Sequence, residues 1–248
     1  MKPVALITGA SRGIGAATAL LAAQRGYAVA VNYHSNSLAA DDIVRRIRAS
    51  GGVAMAVQAD VAQEAQVLAM FARIDAKLGR LQALVNSAGV VDQAARVDSM
   101  SVARLQRMFN TNVIGSMVCA REAVLRMSRS YGGTGGSIVN LSSVAASLGS
   151  PGQYVDYAAS KGAIDSFTRG LAREVAQEGI RVNAVRPGII DTEIHASGGQ
   201  PERAAQLGPG VPMQRAGSAA EVAQAILWLL GEESSYTTGS LLDVAGGR

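Results

Sequence analysis

Short apolar runs of four to eight residues alternate along this chain with longer stretches whose apolar positions recur every three or four. VALIT (Val4–Thr8), YAVAVN (Tyr27–Asn32) and VAMAVQAD (Val53–Asp60) predict the first three strands. LQALVNSAG, SIVNLSS and IRVNAVRPG hold the next three, and SLLDV a last short one. Between them the helical period predicts a helix through Arg25, one over SLAADDIVRRIRAS and one over roughly Glu64–Leu78. Two more fill Ser99–Ser130, a long one runs from about Tyr154 to Gln177, and AAEVAQAILWLLG forms the last. ALIT and VAVN show no polar alternation, as parallel strands covered on both sides by helices require. The repeat predicts an α/β fold: one domain over residues 1–248, built on a doubly wound parallel Rossmann-type sheet of about seven strands with helices on both faces.

In such sheets ligands bind outside the carboxyl ends of the strands, near the switch in strand order, so those ends are where chemistry is sought. The first strand ends in TGASRGIG, Thr8–Gly15, and a helix follows. Gly9 permits the tight turn, Gly13 lets backbone approach a pyrophosphate, and Gly15 allows close packing of helix on strand. The free N–H groups and positive end of the helix then face the phosphates. Gly9, Ser11, Arg12, Gly13, Ile14 and Gly15 are therefore candidate dinucleotide contacts. The spacing is G-x-x-x-G-x-G, and with no G-K-[ST] it is not a Walker A loop. Asp60, followed by Val61, ends the third strand, where a carboxylate can accept a bond from an adenine amino group. Asn86, Ala88 and Gly89 of NSAG end the fourth, small enough to pass beneath an adenosine ribose. The second strand ends VAVNYHSN, with Asn32 where an NAD site usually carries an acid to grip the ribose 2′-hydroxyl. A carboxylate there would repel a 2′-phosphate and Asn32 would not, while Arg12, alone or with Ser35 and Asn36, offers positive charge. The expectation is NADP(H) over NAD(H).

PGQYVDYAASKGAI contributes two tyrosines and one lysine. On a helix, Tyr157 and Lys161 are an i,i+4 pair with Cβ atoms roughly 5–6 Å apart. Tyr154 lies seven residues before Lys161, an axial rise of about 10 Å. Only Tyr157 is placed for the ammonium to favour its phenolate, which matters because a free phenol titrates at about 10. The fifth strand ends at Ser143 on the same sheet edge. A serine hydroxyl there can hold a carbonyl oxygen while Tyr157 gives or takes the proton and a nicotinamide exchanges the hydride.

Taken together, these residues resemble the short-chain dehydrogenase/reductase family. TGASRGIG matches its T-G-x-x-x-G-x-G motif, NSAG its N-N-A-G with Ser87 for the second Asn, YAASK its Y-x-x-x-K, and RPGII with DT its P-G…T segment. The resemblance covers essentially the whole chain. It implies catalytic roles for Tyr157, Lys161 and Ser143, and for Asn112 in FNTNVIG as the residue that holds a relay water behind the lysine. It also implies that Pro187 and Gly188 abut the nicotinamide, with Ile190 and Thr192 near its carboxamide, and that residues 191–214 form a substrate lid. The family's serine commonly stands about thirteen residues before the tyrosine, whereas Ser143 stands fourteen before Tyr157, so an inserted residue in the loop through Pro151 is expected and Ser142 is the substitute. GASRGIG and YAASKGAI resemble 3-oxoacyl-carrier-protein reductases, for which Arg126, Arg129, Arg169 and Arg173 would receive an acidic carrier. Glu178, just before Gly179, would oppose that docking. Glucose-dehydrogenase-like members share SPGQYVDYAASK-like sequence equally, so the substrate is read only as a small carbonyl or secondary alcohol. The alternative of another class is a redox-inactive scaffold that binds cofactor.

Composition narrows the setting. A charge of +4 spread over scattered arginines, with 4% aromatic residues, offers neither a basic run nor stacking platforms for nucleic acid. The longest apolar runs fall far short of a membrane span and the amino terminus lacks the h-region of a signal peptide. A single cysteine, Cys119, on an apolar helical period, reads as a buried structural thiol in a cytoplasmic protein. His34 and His195 have no companion ligands, so no metal is expected. The helices NVIGSMVCAREAVLRM and Tyr154 onward are apolar on more than one side, and with the family's habit of pairing them this points to a homotetramer, with a dimer as alternative.

Overall fold

The computed structural model describes residues 2–248. Its chain order is β1 (Val4–Ile7), α1 (Gly13–Gln24), β2 (Ala28–Tyr33), α2 (Ser37–Ala49), β3 (Val53–Gln58), α3 (Glu64–Lys77) and β4 (Leu81–Asn86). There follow α4 (Val102–Phe109), α5 (Gly115–Met127), β5 (Gly136–Leu141), the short α6 (Ala145–Leu148), α7 (Val155–Val175) and β6 (Ile180–Pro187). The chain finishes with β7 (Ile190–Asp191), α8 (Ile194–Ser197), α9 (Arg203–Leu207), β8 (Gly217–Ser218), α10 (Ala219–Leu230) and β9 (Leu241–Val244).

Seven strands form one parallel sheet in the order β3-β2-β1-β4-β5-β6-β9. The chain winds outward from β1 to β3, then returns to place β4 on the other side of β1. The crevice at the carboxyl ends of β1 and β4 is the switch point where such sheets bind ligands. The residues of β1 alternate between two cores although all four are buried. Ala5 and Ile7 pack with Ala19, Ile43, Ile47 and Ile226 of α1, α2 and α10. Val4 and Leu6 pack with Phe71, Ile74, Cys119 and Met127 of α3 and α5. Two dry faces explain why the strands carry no polar alternation. Burial pushes the Cys119 thiol up to about 12, so it stays protonated as a core side chain.

The two helices expected across Ser99–Ser130 are one continuous helical run. A π-helical turn, Asn110–Ile114, joins α4 to α5. Such turns add a residue to one helical turn and re-aim the side chains around it, and they recur at functional sites. A Cβ at Gly115 would stand 2.8 Å from the Val61 carbonyl oxygen, so the helix passes the β3–α3 loop only through a glycine. The pair β7–β8 lies outside the main sheet and was not expected; Ile190 opposite Gly217 clasps the two ends of the segment between them. Start signals at α10 are local: Ser218 and Glu221 form a capping box. Among the described residues, no helix is long and apolar enough to cross a membrane.

Candidate active site

The carboxyl edge of the sheet opens into a cleft of about 980 Å³. Its floor begins at the glycine loop. Gly9 has φ +62° and Gly13 φ +54°, conformations that side-chain-bearing residues rarely adopt. A Cβ on Gly9 would stand 2.8 Å from the Ala88 Cα, and one on Gly15 2.4 Å from the Gly9 carbonyl oxygen. The loop is thus pressed against both the following helix and the β4 turn. Thr8 Oγ1 accepts the N–H groups of Ser87 and Ala88, each at 3.0 Å, tying the two strand ends together. No side chain caps α1 and its first turn holds no acid, so its N–H groups face the cleft with a positive dipole end. This cradle fits the phosphates of a dinucleotide, with Ser11, Arg12, Gly13, Ile14 and Gly15 on its wall.

Two candidate cofactor contacts have other work. Asn32, expected beside the ribose, lines the cleft but is nearly fully buried, and its amide bonds backbone. Its Oδ1 accepts the Gly9 N–H at 3.1 Å, and its Nδ2 donates to Val57 O at 3.3 Å and Ala59 O at 3.1 Å. Asn32 therefore shapes the glycine loop from beneath. The cleft beyond β2 is faced by His34, Ser35 and Asn36; β2 itself ends without a carboxylate, although Asp60 Oδ2, from the loop after β3, comes within 3.9 Å of His34 Nε2. Asn36 Oδ1 is itself taken, capping α2 through the Ala39 N–H. Asn86 lies behind the wall: its Nδ2 donates to Ser116 O at 3.1 Å and to Asn140 Oδ1 at 3.0 Å, locking β4 to α5 and β5. Ala88 and Gly89 line the cleft, as do Asp60 and Val61. The Asp60 carboxylate accepts the Ala62 N–H at 2.9 Å, which holds its loop.

At the other end of the cleft stand Ser143, Tyr157 and Lys161. Ser143 follows β5, its Oγ accepting the Ala145 N–H at 3.1 Å, and Tyr157 stands in the first turn of α7. Ser142 is turned away, its Oγ donating to the Lys161 carbonyl at 3.1 Å. The loop between holds α6 and then Gly149, Ser150 and Gly152, all at positive φ, which takes up the longer spacing. Lys161 Nζ donates to Leu141 O at 2.6 Å and lies 5.5 Å from the centroid of the Tyr157 ring. Burial pushes Lys161 down to about 8, opposed by the Asp165 carboxylate. Tyr157 is raised above its ordinary value by burial, with the Ser143 hydrogen bond pulling the other way. Desolvation acts on both groups and outweighs their partners.

Asn112 sits on the π turn behind Gly89. Its Oδ1 accepts the Val90 N–H at 2.8 Å; its Nδ2 reaches Val90 O at 3.0 Å and Ser160 Oγ at 3.1 Å. A Cβ on Gly89 would stand 3.5 Å from Asn112 Oδ1 and 3.8 Å from Lys161 Nζ, so the amide is adjacent to the lysine without lining the cleft. Its side chain joins the β4 loop to α7, and Oδ1, accepting one bond, keeps a second acceptor position.

Pro187, Gly188, Ile190 and Thr192 all face the cleft. Pro187 O accepts the Val144 N–H at 3.2 Å, setting β6 against the Ser143 loop. Residues 191–214 carry α8 and α9 over the opening, and Arg12 donates to Ser197 Oγ at 3.0 Å, joining the glycine loop to this segment. Three features were not foreseen. Arg104 clamps Asp156, next to Tyr157, through Nε at 2.7 Å and Nη2 at 3.2 Å. Asp165 lies one turn beyond Lys161, 3.5 Å from Arg186. Arg203 of α9 stacks over Tyr154 at 5.2 Å. The i,i+4 spacing of Lys161 and Asp165 was readable in the sequence; the other contacts join residues 21 or more apart and had no local signal.

Comparison with known proteins extends this geometry. The sequence model of a family described as Enoyl-(Acyl carrier protein) reductase matches residues 9–248. An uncharacterized oxidoreductase of Escherichia coli (strain K12), YgfF, is 57% identical over 245 residues, covering 99% of each chain. The 3-oxoacyl-[acyl-carrier-protein] reductase FabG of Staphylococcus aureus (strain Mu50) is 36% identical over 247 residues, covering 100% of this chain and 98% of its own. Among solved structures, a blue fluorescent protein from a metagenomic library, in complex with NADPH, superposes with a TM-score of 0.89 at 34% identity, covering 99% of this chain and 97% of its own.

Proposed function

The chain belongs to the short-chain dehydrogenase/reductase family, and from that premise we propose that it is an NADP(H)-preferring oxidoreductase acting on a small carbonyl or secondary alcohol, with Tyr157 as acid and base. The observation that carries the reading is the convergence of Ser143, Tyr157 and Lys161 on one cleft with the glycine loop. A bound nicotinamide dinucleotide supplies or accepts the hydride. Tyr157, raised by burial, is a neutral phenol at pH 7 and holds a proton to give to a carbonyl oxygen. The Ser143 hydroxyl, beside it, orients that oxygen. Lys161, at about 8, is mostly an ammonium at pH 7 and stabilises the phenolate left behind. In the reverse direction the phenolate takes the alcohol proton. No covalent bond to the protein is needed.

Preference for NADP(H) rests on Arg12, which faces the cleft with a neutral serine as its only hydrogen-bond partner among the described residues, and on the missing carboxylate at the end of β2. The 34% identical relative holds NADPH, which supports it. For a carrier-bound substrate, Arg126 is already engaged with Asp75 and Glu122, each at about 3 Å, and stacked on Phe71. Glu178 accepts a bond from Ser128, so it too is tied inward. Residues 191–214 act as the lid. Assembly as a homotetramer is supported by Leu125 at 44% and Trp228 at 43% exposure on α5 and α10. Sedimentation at micromolar concentration showing only a species near 25.5 kDa would remove it.

The test is oxidation of NADPH and NADH against a panel of carbonyls. Tyr157→Phe should abolish turnover with cofactor affinity within about twofold, since one proton donor is lost. Tyr154→Phe should keep most of it. A dead Tyr154 variant beside an active Tyr157 variant defeats the assignment.

A further inference from the structure

The lid brings a cation to the substrate end of the cleft. Arg203 lines the cleft from α9, its guanidinium 5.2 Å from the centroid of the Tyr154 ring. Tyr154 is the residue from which α7 starts, three positions before Tyr157, and Arg203, Tyr154 and Tyr157 all line the same cleft. Its hydrogen bonds go to two neutral amide oxygens, Gln200 Oε1 at 2.6 Å and Gln153 Oε1 at 2.9 Å. Among the described residues no carboxylate lies within ion-pair distance of it. The contrast with its neighbours is physical. Arg104 is clamped by Asp156, Arg107 by Asp92, and Arg186 by Asp165 and Asp243.

A guanidinium held on the face of a ring by neutral acceptors keeps its charge uncompensated while its planar fork is already ordered. A carboxylate entering the cleft would exchange amide oxygens for a charge-assisted bidentate partner. Val91, Leu148 and Ile194 line the same cleft and offer apolar surface that suits a short carbon body. His195 does not share the charge. Its Nε2 bonds Ile190 O at 2.9 Å, and burial, with the Arg203 charge beside it, holds the imidazole below its ordinary value.

We propose that Arg203 receives the carboxylate of the substrate, so that the chain acts on small oxo acids and their hydroxy acids in preference to neutral ketones, sugars or polyols. This rests on the oxidoreductase reading above and deepens it. The closed lid then depends on the substrate itself: the carboxylate bridges α9 to the start of α7, where Gln153 now serves.

The experiment pairs each acid with its methyl ester: acetoacetate with methyl acetoacetate, and levulinate with methyl levulinate, reduced with NADPH. The wild-type protein should prefer the acid of at least one pair by about tenfold or more in kcat/KM. Arg203→Met, which keeps the apolar stem, should lose about 10–100-fold on that acid, mainly in KM, the worth of one charge-assisted pair. On the ester it should stay within about twofold. Equal losses on acid and ester mean that Arg203 only positions the lid, and preference for both esters in the wild type means that no carboxylate is received; either overturns the proposal. Calorimetric titration of acetoacetate and levulinate into the NADP+-loaded protein reads binding without turnover. Binding that vanishes in Arg203→Met supports the site even if no carbonyl is turned over, a result that would sink the oxidoreductase reading alone. Wild-type protein that binds neither acid sinks the carboxylate site.

Discussion

Asp165→Asn should move the alkaline limit of activity downward in pH. Asp165 follows Lys161 by one turn of α7 and is buried; one of its oxygens, Oδ1, has no hydrogen-bond partner, and the other lies 3.5 Å from Arg186. An amide keeps the shape and removes the charge. Cβ atoms at this spacing are about 5–6 Å apart. At an effective dielectric constant of ~20, a unit pair at ~6 Å is worth about 3 kcal/mol, or roughly two pKa units. Arg186 remains in the variant, whereas in the wild type it already cancels part of that field, so a net shift of about one unit is expected. Lys161 starts at about 8. The cation is the working form, so a lower pKa means that it is lost earlier as pH rises. At pH 8 half of the wild-type lysine is charged, against about a tenth after a one-unit drop. The measurement is kcat/KM for carbonyl reduction from pH 6 to 10, whose limb belongs to the coupled Tyr157–Lys161 pair. Asp165→Asn should match the wild type at pH 6 and fall about fivefold below it at pH 8. Arg186→Gln, which leaves the carboxylate unopposed, should move the limb the other way. An unmoved limb in both variants, or shifts of the same sign, would refute the electrostatic account.

Arg12→Ala should weaken NADPH by about tenfold or more and NADH by little, because a charge-assisted contact exists only with the 2′-phosphate; fluorescence titration of each cofactor decides it, and equal losses would make Arg12 a lid contact through Ser197. Gly15→Ala places a methyl group 2.4 Å from the Gly9 carbonyl oxygen, a backbone atom that cannot swing aside. Displacement of the loop should cost about 1–3 kcal/mol of stability and most of the cofactor affinity, read by thermal unfolding and the same titration. Wild-type behaviour in both would mean that the packing of loop on helix is not what orders the phosphate cradle.

Much of this was legible along the chain because it is local. The β–α repeat, the glycines of Thr8–Gly15 and the pairing of Tyr157 with Lys161 depend on backbone dihedrals and on periods of 2 and 3.6 residues, which a short stretch of sequence carries in itself. The choice of Ser143 over Ser142 lay just beyond that reach, since a count of residues cannot say which of two adjacent hydroxyls a strand end turns toward the cleft. Asn32 and Asn86 show the same limit. Each stands near a strand end, where a cofactor contact was expected, yet the pleat and the neighbouring strands turn their amides inward to backbone acceptors. The Asn112–Ser160 bond, the Arg104–Asp156 clamp and the Asp165–Arg186 pair each join different elements, beyond the reach of a local period. Arg203 is the clearest case: in sequence it is one more arginine in a glycine- and proline-rich segment. Only the closure of that segment by β7 and β8 sets it over Tyr154, because which side chain meets which across a crossover is decided by packing, and packing is a property of the folded chain as a whole.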